Sequence, residues 1–457
     1  MRRRLPAAAL LLATIVVPVA LRAAPRVLTL AEAFRLADAN AEALRIRALQ
    51  AGRSDAALAE ARSRQYPRLA LELSASYLAN PPEGITVHEG ELATIPIVLP
   101  SEDLVFVKDA EPSYYKLGAT LTQPIFTSGK IAAGIRLAEL DREAAAAELD
   151  RERRDIRRET ARAYHGAVLA SRSLPLLEAM RTAAADIVAD RSASFAEGTV
   201  TRQAVLEAQA SLASIETKIA AAREARSTAL EGLAALTGLA AADLHPADGF
   251  RDACPDLDEE RLQALAAAGS PDIAAAVTRL AQASAKRDLE RAGAALRPDL
   301  ALSVTAGVEG QRTPFVGSAW TDSWDWSVVV SVGAKATAFD AGASRARLDA
   351  AAADREAAAA ALEGARKLAR LSVRRAVEAA RGAGAAATER RAKLALAEET
   401  AKNARVSFEN GVATREQARL AEIGRLAAAI DLESAGAALE DAIAEIEYGT
   451  GVPIGAP

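Results

Sequence analysis

Residues 114–130 read YYKLGATLTQPIFTSGK, and their pattern decides the fold. Taken by twos, Tyr115, Leu117, Ala119 and Leu121 share one face, and Lys116, Gly118, Thr120 and Thr122 the other. That alternation predicts a strand of about ten residues. Gln123-Pro124-Ile125-Phe126 ends the alternation, Gly129 turns the chain, and no proline follows until Pro175. A strand of membrane-crossing length therefore feeds straight into a very long helix. The same order recurs in residues 324–344, WDWSVVVSVGAKATAFDAGAS.

Two more alternating segments flank these. Upstream, Leu69, Leu71, Leu73, Ala75 and Tyr77 stand against Arg68, Ala70, Glu72, Ser74 and Ser76, and a proline-rich loop joins this strand to the Tyr114 strand. In the second half, Leu300, Leu302, Val304, Ala306 and Val308 alternate, and Trp326, Val328, Val330, Val332 and Ala334 do so after them. Phe126 and Phe339 lie 213 residues apart, as do Gly129 and Gly342, Phe195-Ala-Glu-Gly198 and Phe408-Glu-Asn-Gly411, and Thr237-Gly238 and Thr450-Gly451. So many coincidences at one offset mark a tandem duplication. The first repeat is read as 24–245, with a β-hairpin at about 68–124 and a helical hairpin at about 128–237. The second is 246–457, with a β-hairpin at about 298–338 and a helical hairpin at about 342–449.

The helical segments carry coiled-coil spacing. Val205, Ala208, Leu212, Ile215, Ile219 and Ala222 recur at threes and fours, a seam of small and medium residues. An unbroken helix from Gly129 towards Gly198 would span roughly 100 Å at ~1.5 Å per residue. Pro175 falls inside it, where proline is expected to kink or break a helix. His245 to Asp258 reads as a linker.

Composition fits this picture. The 457 residues are 51% hydrophobic but only 4% aromatic, thin for a large globular core, and alanine supplies much of the apolar fraction. A net charge of −5 gives no basis for nucleic-acid binding. Arg2-Arg3-Arg4 precede an apolar run from Leu5 to Leu21, with Leu21-Arg22-Ala23 as a cleavage site, so residues 1–23 read as a signal peptide. Beyond it no run of ~18 apolar residues occurs, so any membrane crossing is made by strands.

Two hairpins of about ten-residue strands have the form of membrane-crossing β-hairpins. Eleven of the 17 aromatic residues lie in 66–126 or 315–339, and Tyr77, Tyr114, Tyr115, Trp320, Trp324 and Trp326 stand at the loop ends of strands, as an interfacial girdle requires. Four strands cannot close a barrel, and an open edge in lipid leaves backbone groups unsatisfied. Two chains would supply eight strands and three would supply 12; continuing every strand into a helical tube favours three.

The chain resembles the TolC-like outer-membrane efflux proteins of Gram-negative bacteria. The resemblance rests on YPRLALELSASY and LRPDLALSVTAG, on LTQPIFTSGK and FDAGAS, and on FAEGTVTRQAVLEAQASL with FENGVATREQARLAE, which are similar to the family's two helix-tip segments. It implies a fold of mixed α and membrane β structure: a homotrimer with a shared 12-stranded barrel in outer-membrane lipid and a long periplasmic α-helical coiled-coil tunnel. It also implies the passive exit duct of a tripartite efflux system for small molecules (drugs, toxic compounds or metal ions), served by a periplasmic adaptor protein and an inner-membrane transporter. Two departures stand out. Ala338 precedes Phe339 where the family usually has proline, and Ala204 and Gln417 stand where its tips often carry aspartate.

On this reading the adaptor meets the tips Gly198, Thr199, Val200, Thr201 and Gly411, Val412, Ala413, Thr414. Glu207, Glu416 and Glu422 are the candidates for a periplasmic gate, and Pro124, Phe126, Gly129, Phe339 and Gly342 mark the strand–helix junctions. Catalytic chemistry is not in view. His88, His165 and His245 are scattered, no nucleophile elbow or phosphate loop occurs, and the lone Cys254 has no disulfide partner. RERRDIRRE (151–159) reads as a salt-bridged helix face, and the aspartates at 248, 252, 256 and 258 have no calcium-loop spacing. The chain is thus expected to be neither an enzyme nor cofactor-dependent. Type I protein secretion is an alternative within the channel class, and a periplasmic coiled-coil scaffold is the rival outside it.

Overall fold

The computed structural model describes residues 26–88, 104–107, 111–251, 253–294, 297–314, 316 and 320–455. The expected signal peptide lies outside them. In chain order the elements are β1 (Arg26–Leu28), α1 (Leu30–Asn40), α2 (Glu42–Ser63), β2 (Arg68–Tyr77), β3 (Ile85–Val87), β4 (Leu104–Val107), β5 (Ser113–Phe126), α3 (Lys130–Ala196) and α4 (Arg202–Thr237). They continue with β6 (Leu244–Pro246), α5 (Glu259–Gly269), α6 (Pro271–Ala294), β7 (Asp299–Gly310), β8 (Trp324–Lys335), α7 (Ala343–Glu409) and α8 (Arg415–Thr450). Helices α3 and α7 are both 67 residues long and α4 and α8 both 36, each beginning and ending 213 residues after its counterpart.

One question that the sequence leaves open is answered and one boundary moves. Helix α3 runs unbroken through Pro175. The ring removes one backbone donor at a cost of about 3 kcal/mol. Leu177 and Met180 are buried just beyond it against Ile215 and Ile219 of α4 and Leu426 of α8, and each such side chain contributes about 1.5–3 kcal/mol. Packing outweighs the lost bond. Strand β5, in turn, runs to Phe126, two residues past the expected hairpin end at about 124, because Pro124 sits where the pairing with β7 shifts register. A residue at such a shift has no ladder bond to lose. Gln123 steadies the bend, its Nε2 donating to the carbonyls of Gln65 (3.0 Å) and Pro124 (2.8 Å). The two shortest pairings were not foreseen: β1 with β6 in parallel, and β3 with β4 inside the long loop.

The chain forms two compact units. One comprises the described residues up to Arg45, Glu152–Ala266 and Leu371 onward. Its two cores sit at equivalent places in the repeats. Tyr164, Ala167, Leu230 and Leu233 build the first with Leu28 and Leu244, and Val377, Ala380, Ile443 and Ile446 build the second with Leu257 and Leu262. Where the second repeat has Val377, the first has a tyrosine with work for its hydroxyl. Tyr164 donates to the Leu28 carbonyl (2.9 Å) and bonds Asp248 Oδ2 (2.8 Å), which also accepts from the Leu30 amide (2.8 Å).

The other unit, Ile46–Arg151 with Ala267–Arg370, holds the main sheet. Its order is β2-β5-β7-β8, antiparallel throughout. The register puts every apolar set on one side. Leu71 faces Ala119, which faces Ala306, which faces Val328; the next row on that face is Leu69, Leu121, Val304, Val330. The opposite side carries Lys116, Thr120, Thr122, Ser303, Thr305, Glu309, Ser327 and Ser331, with Thr120 and Thr305 hydroxyls 3.2 Å apart. Among the described residues, β2 and β8 each leave one edge of this sheet unpaired.

Candidate functional site

Both helical hairpins close in the same way. Gly198 (φ 75°) and Gly411 (φ 73°) take the left-handed conformation that ends a helix without a Cβ penalty. The amide of Thr199 then reaches back to the Ser194 carbonyl (2.9 Å) and that of Val412 to the Ser407 carbonyl (2.8 Å). The following helices start on threonine caps, which differ. Thr201 Oγ1 accepts only from the Ala204 amide (3.3 Å). Thr414 Oγ1 accepts from the Gln417 amide (3.2 Å) while Gln417 Oε1 accepts from the Thr414 amide (2.9 Å), a reciprocal capping box. Val412 is 83% exposed at the tip, and a Cβ built on either glycine meets no atom within 4 Å.

Just behind the tips, Arg191 of α3 gathers two of the three expected gate carboxylates. Its Nη2 and Nε donate to Glu416 Oε1 at 2.5 and 3.1 Å, its Nη1 donates to the Ala204 carbonyl at 2.7 Å, and Glu207 lies 3.9 Å away. The carboxylate bonds push the guanidinium pKa further up. Glu422 stands apart, held by Arg425 at 2.7 and 2.9 Å, and this hydrogen bonding keeps its carboxyl below the usual range. Arg419 spans Asp186 (3.1 Å) and Asp190. A cleft of about 670 Å³ opens here, walled by Ala179, Asp186, Arg405, Phe408, Arg419 and Glu422 among others. The glutamates are therefore ion-paired within one chain, to Arg191 and Arg425, neither of which is among the gate candidates named from the sequence. The signal was present in the sequence as arginines three residues or fewer from the acids in RLAEIGR, and for Arg191 only through the fold.

The strand–helix junctions match as closely. Ser128 and Gly129 (φ 53° and 85°) and Ala341 and Gly342 (φ 52° and 86°) form consecutive left-handed pairs at the same place in each repeat. Lys130 Nζ ties the first junction to Asp299 Oδ2 at 2.7 Å. At the second, Asp340 accepts from the Ser344 amide (2.8 Å) and hydroxyl (2.5 Å), bonds that hold its carboxyl below the ordinary value. Phe126 and Phe339 are both exposed. Of the expected girdle, Tyr77, Tyr115, Trp324 and Trp326 follow the apolar face, and Tyr115 stacks on Trp324 at 6.3 Å over Gly310, where a Cβ would come within 2.6 Å of the indole. Tyr114 is on the polar face with its hydroxyl on Glu309 Oε2 (2.5 Å). Trp320 lies in the turn Trp320–Ser323 before β8.

Other groups singled out in the sequence have structural partners. His165 Nδ1 lies 2.8 Å from Asp441 Oδ1, and Asp258 caps α5 through the Arg261 amide (3.1 Å). Arg157 pairs with Asp38, and Arg158 and Arg162 with Glu445. Cys254 is a free thiol whose pKa burial raises. No cluster of metal-binding side chains occurs among the described residues, and no helix among them is long and apolar enough to cross a membrane.

Residues 33–239 and 262–448 match the sequence model for outer membrane efflux proteins. The cobalt-zinc-cadmium resistance protein CzcC of Cupriavidus metallidurans is 29% identical over 210 residues, 46% of this chain and 50% of that protein, so the match spans about half of this curated relative. Among solved structures, the outer membrane protein VceC of Vibrio cholerae superposes with a TM-score of 0.71 at 19% identity, over 93% of this chain and 96% of its own. A membrane protein of Pseudomonas aeruginosa gives 0.71 at 20% identity, over 92% and 93%. At these identities the likeness is one of fold.

Proposed function

The chain belongs to the outer membrane efflux protein family, and from that premise we propose that it is one subunit of a passive exit duct in the outer membrane of a Gram-negative bacterium, with most of its mass in the periplasm. Residues 1–23 are its export signal, and 24–245 and 246–457 its two structural repeats. The observation that carries the reading is the main sheet. It is apolar on one side and polar on the other, has open edges at β2 and β8, and runs at its inner end into two helices of 67 residues. Such a sheet is stable in lipid only if neighbouring copies pair its edges, β8 of one with β2 of the next. Three copies give 12 strands, in the range of known outer-membrane barrels, and leave a wet lumen against the polar face.

The eight tip residues at 198–201 and 411–414 would receive a periplasmic adaptor, which links the duct to an inner-membrane transporter. The Arg191 and Arg425 ion pairs would hold the tunnel mouth. Similarity to a protein named for cobalt, zinc and cadmium resistance supports metal cations as the cargo. The duct has no catalytic role. The test is the mass of the detergent-extracted protein by light scattering, corrected for bound detergent, together with conductance in planar bilayers. Three chains and discrete conducting steps are expected. A monomer without conductance would favour the periplasmic scaffold instead.

A further inference from the structure

The polar side of the sheet is not evenly charged. Ser74, Lys116, Glu309 and Asp325 form one continuous register row near the hairpin-loop end, with the two carboxylates directly opposite each other. Two residues further in, Glu72 heads the row of Gly118, Gly307 and Ser327 and lies 3.9 Å from Lys116. The loop half thus carries Glu72, Glu309 and Asp325 against a single lysine. Arg312, just past β7, is matched by Glu111 at 3.1 Å. The middle rows, with Ala70, Thr120, Thr305 and Val329, are uncharged. The helix end carries Arg68, Lys335 and Lys130, with Asp299 paired to Lys130 and Asp340 at the second junction.

Like charges directly opposite one another on a sheet are destabilising, and among the described residues nothing relieves the Glu309–Asp325 pair fully. Tyr114 donates one hydrogen bond to Glu309 (2.5 Å), and Lys116, opposite Glu309 in the register, lies 3.9 Å from Glu72. Among the described residues Asp325 makes no ion pair.

We propose that Glu309 and Asp325 are specificity-determining residues of the duct, forming a ring of carboxylates at its outer mouth that favours cations over anions, while Arg68 and Lys335 form a counter-ring at the inner end of the barrel. The inference rests on the shared-barrel reading above and deepens it by naming the residues that make the duct favour cations. Repeated by three chains, the described strand residues of the loop half hold nine carboxylates and three lysines. No bound ion is needed: the carboxylates act through the potential they set in a confined lumen, as rings of acidic side chains do in cation channels. Because that potential is screened within roughly 10 Å at 0.1 M salt and 3 Å at 1 M, the preference fades in concentrated salt.

The experiment is a reversal-potential measurement on the purified full-length protein in planar bilayers under a KCl gradient near 0.1 M, comparing wild type, Glu309→Gln/Asp325→Asn and Arg68→Gln/Lys335→Gln. The glutamine side chain that replaces Glu309 can still accept from Tyr114, and conductance in symmetric salt checks that each variant assembles. Cation and anion respond in opposite senses, so the K⁺/Cl⁻ permeability ratio falls about sevenfold for each kT of potential removed. A fall in the acid-neutralised variant and a rise in the base-neutralised one are expected. Unchanged ratios in conducting channels would overturn this inference and leave the duct standing. A wild-type protein that forms no channel would remove the duct itself.

Discussion

Replacing Gly198 and Gly411 together with leucine separates what the tips do for the chain from what they do for a partner. Both glycines are left-handed, and an L-residue there costs roughly 1–2 kcal/mol. The branch point itself adds no clash, because a Cβ at either position has no atom within 4 Å. The strain is confined to turns whose helices remain capped by Thr201 and Thr414 and packed through Leu177, Met180 and Ile215. The whole intrinsic cost is therefore about 2–4 kcal/mol for the double variant, small against assembly through two sheet edges. The variant is expected to extract at the mass of three chains and to conduct in bilayers like wild type. If the proposed docking role is right, it should nonetheless fail to restore export to a host lacking its own channel, since the bulk added at the open tips would stand between them and the adaptor. Full export would refute the docking assignment, and loss of the trimer would refute the argument that the strain stays local.

Gly436 offers the opposite case: a Cβ there would lie 2.7 Å from the Phe250 Cβ, so Gly436→Ala should overpack the site at a cost of about 1–3 kcal/mol and lower the melting temperature by several degrees; an unchanged melt would show the Phe250 segment to be freely displaceable. Arg191→Gln removes the bonds to Glu416 and the contact with Glu207, and single-channel recordings should show longer or wider openings; wild-type openings would exclude Arg191 as a latch. Glu422 has its folded pKa lowered from 4.5 by Arg425, so its contribution is complete above that value and disappears as the pH falls through the lower folded pKa. The melting-temperature gap between wild type and Glu422→Gln should be present at neutral pH and close below about pH 4.5, and a gap that widens in acid would reverse the assigned sign.

Most of the architecture was legible because it is periodic. Alternation by two gave the four strands to within a few residues, and the constant offset of 213 gave four helices whose bounds repeat to the residue. Illegible parts depend on contacts made far along the chain. Pro175 reads as a breaker until Ile215 and Leu426 are seen to pack beside it. The three-residue β1 has no pattern of its own and exists because Leu244–Pro246 pairs with it. At the candidate gate the acids were visible but their state was not, because Arg191 meets Glu416 across 225 residues of sequence. Tyr114 and Tyr115 are adjacent and aromatic, and only the register assigns one to Glu309 and the other to Trp324.

The unequal threonine caps bear on stoichiometry. A ring of three chains would present six tips of nearly one shape but two chemistries in alternation, one buttressed by the Thr414–Gln417 box and one with Ala204 in that glutamine's place. A partner that recognises outline would load all six seats alike. One that competes for the cap amides would find Thr201 yielding and Thr414 already spoken for, filling three seats first and three later. The symmetry of a finished assembly would then be written in a single side-chain amide.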